Sequence, residues 1–200
     1  MKMKKSKLIL TLVAIMAFTF GALAGDDYKV SSKSSKLEWL AKKVTGQHNG
    51  TIEIKSGGLT FSGSKLTGGN FAIDMKTITV LDLEAGSNMN DKLTGHLNSP
   101  DFFNTTEFVE ANFKITSVKK SKSDKENYDL TGDLTIKGIT SSITFPAQVS
   151  KDGNKVSATA NMTFDRTKFD IKFRSGNFFE DLGDKMIYDE VTMTVSLVTE

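Results

Sequence analysis

The 200-residue sequence contains no cysteine, only two prolines and only two histidines. The absence of cysteine excludes a disulfide framework, a thiolate zinc site, an iron–sulfur cluster and a cysteine nucleophile. The low proline count excludes a proline-rich or collagen-like chain, and the regularly placed apolar residues argue against a wholly disordered one. With 38% hydrophobic and 25% charged residues, the composition indicates one soluble globular domain.

The first 24 residues have the pattern of a secretory leader. Four lysines precede an apolar run over residues 8–20, and Ala22-Leu23-Ala24 supplies the small residues of a cleavage site. A permanent anchor is the less favoured alternative, because the run is short for a membrane span. We therefore predict a cleaved signal peptide over residues 1–24 and a single domain over residues 25–200.

Removal of this leader changes the charge of the chain. The remaining 176 residues carry 22 Lys and Arg against 24 Asp and Glu, so the net charge falls from +2 to −2. A nucleic-acid partner requires a basic stripe, and none remains. We therefore predict no binding to nucleic acid.

From Tyr28 onward, apolar and polar residues alternate, which is typical of strands with one buried face. The pattern predicts about nine or ten strands, including one at Ile171 and Phe173, and few helices. Turn signals separate the strands at Gly57-Gly58, Gly68-Gly69, Lys137-Gly138 and Asp152-Gly153, and the last of these predicts a two-residue hairpin. The charged stretch 119–127 is interpreted as a solvated loop.

One segment between residues 84 and 108 breaks this alternation. Ser87 is placed to cap a helix of two or three turns whose apolar residues recur at i, i+4 and i+8, namely Met89, Leu93 and Leu97. A second short turn starts at Ser99-Pro100 and would place Phe102 and Phe103 on opposite sides. We expect both turns to cover one end of a barrel, where this pair of phenylalanines seals or gates it.

Strands with one apolar side and almost no helix to cover them must bury that side against themselves. The hairpin spacing favours an all-β, antiparallel up-and-down barrel over a sandwich. A barrel of about eight strands either fills with side chains or holds one ligand, and periodicity does not distinguish the two. The predicted inward set is Trp39, Phe61, Phe71, Ile73, Met75, Phe113, Ile136, Phe145, Met162, Phe164, Phe173 and Met193.

An outer-membrane barrel would turn the same apolar face outward. Its narrow lumen would then have to hold unpaired lysines, which is unfavourable, and only one tryptophan and three tyrosines are available for its two aromatic girdles. The lysines of the polar face are Lys55, Lys76, Lys114, Lys137 and Lys172. We therefore expect the apolar face to point inward.

Several local motifs add what alternation does not provide. They are Trp39, residues 46–50 (GQHNG), 69–74 (GNFAID), Asp82, 96–103 (HLNSPDFF), 132–138 (GDLTIKG) and 164–167 (FDRT). In this order they resemble the YceI-like family of bacterial periplasmic, lipocalin-like, polyisoprenoid-binding proteins. The resemblance spans residues 28–197, and the block 96–103 followed by the LTIKG strand is its most specific part.

The resemblance implies an elongated antiparallel barrel, located in the periplasm, whose apolar interior holds a long isoprenoid or similar amphiphile such as a quinone or a polyprenyl phosphate. The sequence departs from the family at Val109, where a proline is common, and at Asp170, where a glycine is common. Neither position is expected to touch the cavity. Because ligands differ between members, the identity of the lipid does not transfer.

The two imidazoles, His48 and His96, could form a metal site or an acid–base pair with Asp74, Asp82 or Asp101. Their spacing has no metal-site signature, so a hydrogen-bonding or capping role is favoured, with a headgroup contact at the barrel mouth as the intermediate alternative. We therefore predict no catalytic residue and no metal ligand. His48, Asp82, His96 and Arg166 remain candidate rim or headgroup residues.

For Arg166 a salt bridge with Asp165 or Asp74 is favoured over contact with a lipid phosphate. No Gly-x-Ser-x-Gly elbow and no nucleotide-binding glycine loop occurs in the sequence. The prediction is therefore a non-enzymatic periplasmic protein without a cofactor, which binds, stores or transports an isoprenoid-like lipid. A transient membrane contact and a homodimer are compatible with that role.

Two other function classes stay open at this point. One is a solid-core secreted barrel that acts as a stress-related protein-interaction module. The other is a hydrolase or metal-dependent enzyme that uses His48 or His96.

Overall fold

The computed structural model describes residues 25–121 and 127–200, so the predicted leader and most of the predicted charged loop lie outside the described residues. The described chain forms nine strands and one α-helix. The strands are β1 (Asp26–Lys29), β2 (Lys36–Lys43), β3 (Gly46–Ser62), β4 (Lys65–Asp74), β5 (Glu110–Lys120), β6 (Asn127–Ile136), β7 (Ile139–Asp152), β8 (Lys155–Asp165) and β9 (Ile187–Val198), and the helix is α1 (Asn88–Asn98).

The strands close into an antiparallel up-and-down barrel. Each strand from β2 to β9 pairs with the next one in the chain, and β9 pairs back with β2. The two short strands β1 and β2 share one edge of β3, since β1 lies opposite residues 58–61 and β2 opposite residues 46–52. They therefore act as one broken strand, and the nine strands fill eight positions around the barrel. The predicted fold class is confirmed.

The apolar face of the sheet points into the barrel. Along β5 and β7, buried and more exposed residues alternate, as expected for strands that are dry on one side only. Lys55, Lys76 and Lys114 are exposed, as predicted for the outward face. The interior of the barrel is therefore the hydrophobic core.

The two ends of the barrel differ in their connections. One end, called the upper end here, carries the connections 44–45, 75–109, 137–138 and 166–186. The opposite, lower end carries the segment 31–35 and the tight hairpins at 63–64 and 153–154. The long segments, including α1, therefore all lie at the upper end.

The predicted helix is confirmed. Helix α1 begins after Ser87, whose side chain accepts a hydrogen bond from the Asn90 amide. Leu97, in the last turn of the helix, is buried. The Ser99-Pro100 turn forms no second helix, and Phe102 and Phe103 both reach the cavity described below rather than facing opposite sides. The two phenylalanines therefore close the barrel together.

Three other local predictions need correction. No turn forms at Gly57-Gly58 or Gly68-Gly69, because these glycines lie within β3 and β4. The residues around Ile171 and Phe173 form no strand, because Asp170 and Arg174 on either side have left-handed backbones with φ of 58° and 50°. The hairpin predicted at Asp152-Gly153 is shifted by one residue, since Asp152 pairs with Lys155 across the loop. The hairpin at Lys137-Gly138 has two positive φ values, as its turn type requires.

The large hydrophobic side chains that stay exposed share one end of the barrel. In the described part of the chain they are Val44, Leu81, Met89, Val109, Ile139, Phe178, Phe179 and Tyr188. All of them lie on the upper-end connections or on the strand residues next to them. Among the described residues, the exposed large hydrophobic side chains therefore lie at the upper end and not at the lower end. No helix in the described residues is long and apolar enough to cross a membrane.

One close contact of the barrel wall depends on Gly50. The Trp39 side chain crosses over Gly50, its partner on the neighbouring strand, and the indole Nε1 donates a 3.1 Å hydrogen bond to the Thr79 carbonyl oxygen. A Cβ at position 50 would overlap that oxygen and lie 2.7 Å from Trp39 Cζ2. Only glycine allows Trp39 and the 77–82 segment to meet across β3.

We expect Gly50→Ala to lower the free energy of unfolding by about 3 kcal/mol, since the new methyl group forces Thr79 and Trp39 apart. Gly95→Ala is the matched control, because a Cβ there meets nothing within 4 Å. It should raise stability by about 0.5–1 kcal/mol through helix propensity. Urea unfolding of both variants measures the difference, and equal stabilities would contradict this account of Gly50.

Candidate functional site

The barrel encloses an apolar cavity of about 180 Å³. Its wall includes residues from all strands from β2 to β9, and only Thr159 and Arg166 among the lining residues are polar or charged. Since one water molecule needs about 10–15 Å³ of such space, the cavity has room for about 12–18 non-hydrogen atoms. Of the two alternatives left open by periodicity, the structure therefore shows a cavity rather than a filled interior.

The cavity exists because small side chains face one another on one side of the barrel. Ala147 on β7 is the strand partner of Ala160 on β8, and Ala158 lies between Val149 and Leu197. Bulkier side chains line other parts of the wall, including Phe113, whose ring centre lies 5.6 Å from that of Phe145. Packing is otherwise dense, so alanines at these positions leave space that larger residues would fill.

The lower end of the cavity is sealed. Phe61 and Leu66, 1% and 0% exposed, pack below it and do not line it. Lys151 reaches across this end, where its ammonium lies 4.6 Å from the centre of the Tyr28 ring and donates a 2.7 Å hydrogen bond to the Gly63 carbonyl oxygen. The cavity therefore has a closed floor.

The upper boundary of the cavity is formed by the long connections. Leu97, Phe102 and Phe103 come from the 75–109 segment, while Ile171 comes from the 166–186 segment. Phe173, in the same segment as Ile171, joins the two through edge contacts with the His96 ring at 4.6 Å. Any molecule that enters from this end must therefore displace these side chains.

Most of the predicted inward set lines this cavity. These residues are Trp39, Phe71, Ile73, Met75, Phe113, Ile136, Phe145, Met162, Phe164 and Met193. Two members of the set do not line it. Phe61 lies in the floor against Tyr28, and Phe173 lies above the cavity against His96 and Phe102. Alternation identified Phe61 as buried, but it does not give the depth at which a cavity ends.

Arg166 is the only charged residue that lines the cavity, and it is 3% exposed. Its guanidinium donates to the backbone oxygens of Ile171, Ile187 and Tyr188 at 2.7–3.2 Å and forms an ion pair of 3.0 Å with Asp189. Burial lowers the pKa of Arg166 below its ordinary value, although the nearby Asp189 and Asp165 carboxylates oppose this shift. The arginine therefore ties β9 to the start of the 166–186 segment.

The predicted partners of Arg166 need correction, because its ion pair is with Asp189. Asp165 instead accepts from the Thr167 amide and hydroxyl, and Asp74 accepts from the Lys76 amide, so each caps a 3₁₀ turn. Sequence reasoning missed Asp189, which lies 23 positions after Arg166. Because Asp165 pairs with Glu190 across β8 and β9, the neighbouring residues Arg166 and Asp189 come close together. This strand register cannot be read from the sequence.

The other predicted rim residues form two separate pairs outside the cavity wall. His48 Nδ1 lies 2.8 Å from Asp82 Oδ2, and the Asn49 amide donates to Asp82 Oδ1 at 2.9 Å. Burial alone would raise the pKa of the Asp82 carboxyl, but the hydrogen bonds from Asn49 and His48 lower it below its ordinary value. This pair holds the 77–82 segment against β3.

His96 forms the second pair, with its Nε2 3.3 Å from Asp101 Oδ2. Its ring packs edge-on against both Phe102 and Phe173. The two histidines thus pair with different carboxylates, and in the described ranges no three His, Cys, Asp or Glu side chains are grouped so that they could hold a metal ion.

Together, the closed up-and-down barrel and its apolar interior define a lipocalin-like β-barrel with an internal cavity. Residues 28–199 match the YceI-like domain. The chain therefore belongs to the YceI-like family.

Relatives and solved structures agree with this assignment. Protein YceI of Shigella flexneri is 31% identical over 98% of this chain and 97% of its own length. Among solved structures, BcnA of Burkholderia cenocepacia superposes with a TM-score of 0.68 at 21% identity, covering 86% of this chain and 99% of that one. A polyisoprenoid binding domain from Saccharophagus degradans, implicated in plant cell wall breakdown, gives 0.63 at 14% identity, covering 86% and 97%. These structures show the same fold.

We expect Arg166→Met to lower the free energy of unfolding by about 3–5 kcal/mol, because it leaves Asp189 partly buried without its cation. Arg174→Met is the matched control, since the other arginine is exposed and contacts only the Phe173 ring face among the interactions described. It should change stability by less than about 1 kcal/mol. Denaturant unfolding measures both, and a similar small effect at Arg166 would contradict the anchoring role.

Proposed function

We propose that this protein binds and carries or stores a long-chain isoprenoid or a similar amphiphilic lipid in the periplasm, without catalysing a reaction. The observation that carries the proposal is the cavity, which is closed below, lined almost wholly by apolar side chains and bounded above by the two long connections. Such a space excludes charged or strongly polar molecules from its depth, because they would lose their hydration without gaining partners.

The size of the cavity indicates which part of the lipid is enclosed. Room for about 12–18 non-hydrogen atoms corresponds to about three isoprene units. Met75, Met162 and Met193 line the cavity, and methionine adapts its shape easily, so a longer tail can enlarge it. The polar head then stays at the upper end, because the floor is sealed.

The energetics suit a carrier. Burial of about a dozen carbons contributes about 10 kcal/mol gross, and loss of the ligand's freedom subtracts several kcal/mol of this. We therefore expect dissociation constants from water of about tens of micromolar. A bilayer offers the tail a similar apolar environment, so the exchange between membrane and protein is close to balanced, and the ligand can be released as well as bound.

Similarity to proteins described as YceI-like and to a polyisoprenoid binding domain supports the ligand class. A periplasmic location is supported by the leader pattern of residues 1–24. Against the enzyme alternative, His48 and His96 contact different carboxylates, those of Asp82 and Asp101, and neither histidine lines the cavity. Arg166 is committed to protein partners, so we do not assign it to a lipid phosphate.

Native mass spectrometry of the purified protein, in the absence of detergent, tests this proposal first. We expect a stoichiometric apolar adduct that organic extraction releases and identifies. If the protein carries none, a short-chain quinone can be titrated instead. Trp39 is the single tryptophan and lines the cavity, so its fluorescence should be quenched as the quinone binds. Absence of both adduct and quenching would overturn the proposal in favour of an interaction module.

A cavity-filling substitution tests the location of the ligand. Ala158→Phe places a ring in the cavity and should weaken quinone binding at least about tenfold, while the fold is retained. Ser157→Phe, on the same strand but facing outward, is the matched control and should leave binding unchanged. Circular dichroism monitors folding of both variants. Equal binding by the two variants would place the ligand elsewhere.

A further inference from the structure

The exposed apolar residues of the upper end include a pair of adjacent phenylalanines held in solvent. Phe178 and Phe179 are 50% and 51% exposed. Their amides both donate to the Ser175 carbonyl oxygen at 3.0–3.1 Å, which fixes a tight turn below the two rings. Large apolar side chains in such positions are commonly part of a binding surface.

This turn is anchored in the core of the barrel. Ser175 is completely buried, and its hydroxyl donates a 2.8 Å hydrogen bond to Asp189 Oδ2, which also accepts from the Asn177 side chain. The other oxygen of Asp189 faces Arg166 in the cavity wall. A network of polar contacts therefore links the turn that carries the phenylalanine pair to Arg166 in the cavity wall.

The same connection covers the cavity and carries the exposed rings. Ile171 lines the cavity, whereas Phe178, seven residues later, faces solvent. On the other long connection, Phe103 lines the cavity while Leu81 and Met89 are exposed. The same two connections thus carry both the exposed apolar side chains and the side chains that a ligand must displace.

The charges around the phenylalanine pair are balanced. In residues 167–186 there are four basic and four acidic side chains, while residues 75–109, which carry Leu81 and Met89, have two basic and five acidic ones. The surface therefore has no excess of positive charge to attract an anionic partner, and its lysines can extend into a polar headgroup layer while apolar tips enter below it. A zwitterionic phospholipid surface matches the apolar tips and needs no basic excess.

We propose that the upper end of the barrel docks on a zwitterionic phospholipid surface through Phe178, Phe179, Leu81 and Met89. The lipid then passes between the bilayer and the cavity without crossing water. This inference rests on the proposed function for the identity of the cargo, but the docking itself does not need a cargo. Docking would favour transfer because each methylene that is exposed to water between the bilayer and the cavity would raise the free-energy barrier to transfer.

Co-sedimentation with phosphatidylcholine vesicles tests docking with the protein free of ligand. We expect Phe178→Asp with Phe179→Asp to weaken vesicle binding at least about tenfold, since both rings leave the interface. Leu81→Asp with Met89→Asp, on the other connection, should have a similar effect. Ser64→Asp with Asn154→Asp adds the same charge at the lower end and should leave binding unchanged. Unchanged binding in both upper-end variants would overturn the proposal.

Transfer kinetics separate docking from cargo binding. Recovery of Trp39 fluorescence after quinone-loaded protein meets vesicles should become faster with vesicle concentration, and the Phe178 and Phe179 double variant should slow it at least about tenfold. The quinone affinity of that variant in the absence of vesicles should be unchanged.

The outcomes distinguish the two proposals. If the unmodified protein does not bind quinone, the proposed function is contradicted, but the binding of the protein to vesicles is still tested by co-sedimentation. A dimer abolished by the same substitutions would assign the surface to a second copy and overturn membrane docking.

Discussion

Closure of the sheet is the constraint on which the rest of the molecule depends. It is achieved by β1 and β2, which together pair with β3 on one side, while β2 pairs with β9 on the other. Without this pairing the sheet would have two unpaired edges, and its apolar face would not be enclosed. Closure also creates the interior, since an open sheet of the same residues would have no cavity.

The difference between the two ends follows from how the closed strands are connected. Short hairpins bring the floor residues together, whereas two long connections cover the top and are tied to the wall by buried polar contacts. One of these is the Arg166 and Asp189 pair, and the other is the Trp39 hydrogen bond to Thr79. Apolar packing thus defines the cavity, and a few polar contacts position its cover.

Much of this fold is predictable from the sequence because alternation is a local signal. It identified the barrel, its sidedness and most of the lining residues, and Ser87 identified the helix. What it did not identify depends on register and depth. The Asp189 partner of Arg166, the floor position of Phe61 and the facing pair of Ala147 and Ala160 all require knowledge of which strand residues lie opposite. Asp170 shows a further limit, because its left-handed backbone, which interrupts the predicted strand at Ile171 and Phe173, is invisible to alternation.

The sealed floor has a kinetic consequence. A cavity with one opening does not allow a second molecule to push the first out from behind, so two occupants cannot pass each other. Replacement of one ligand by another must therefore proceed through an empty barrel. The dissociation rate of a bound molecule should be independent of the concentration of its competitor, and the time for which it is retained depends on the upper-end side chains that it must displace, among them Phe102 and Phe103.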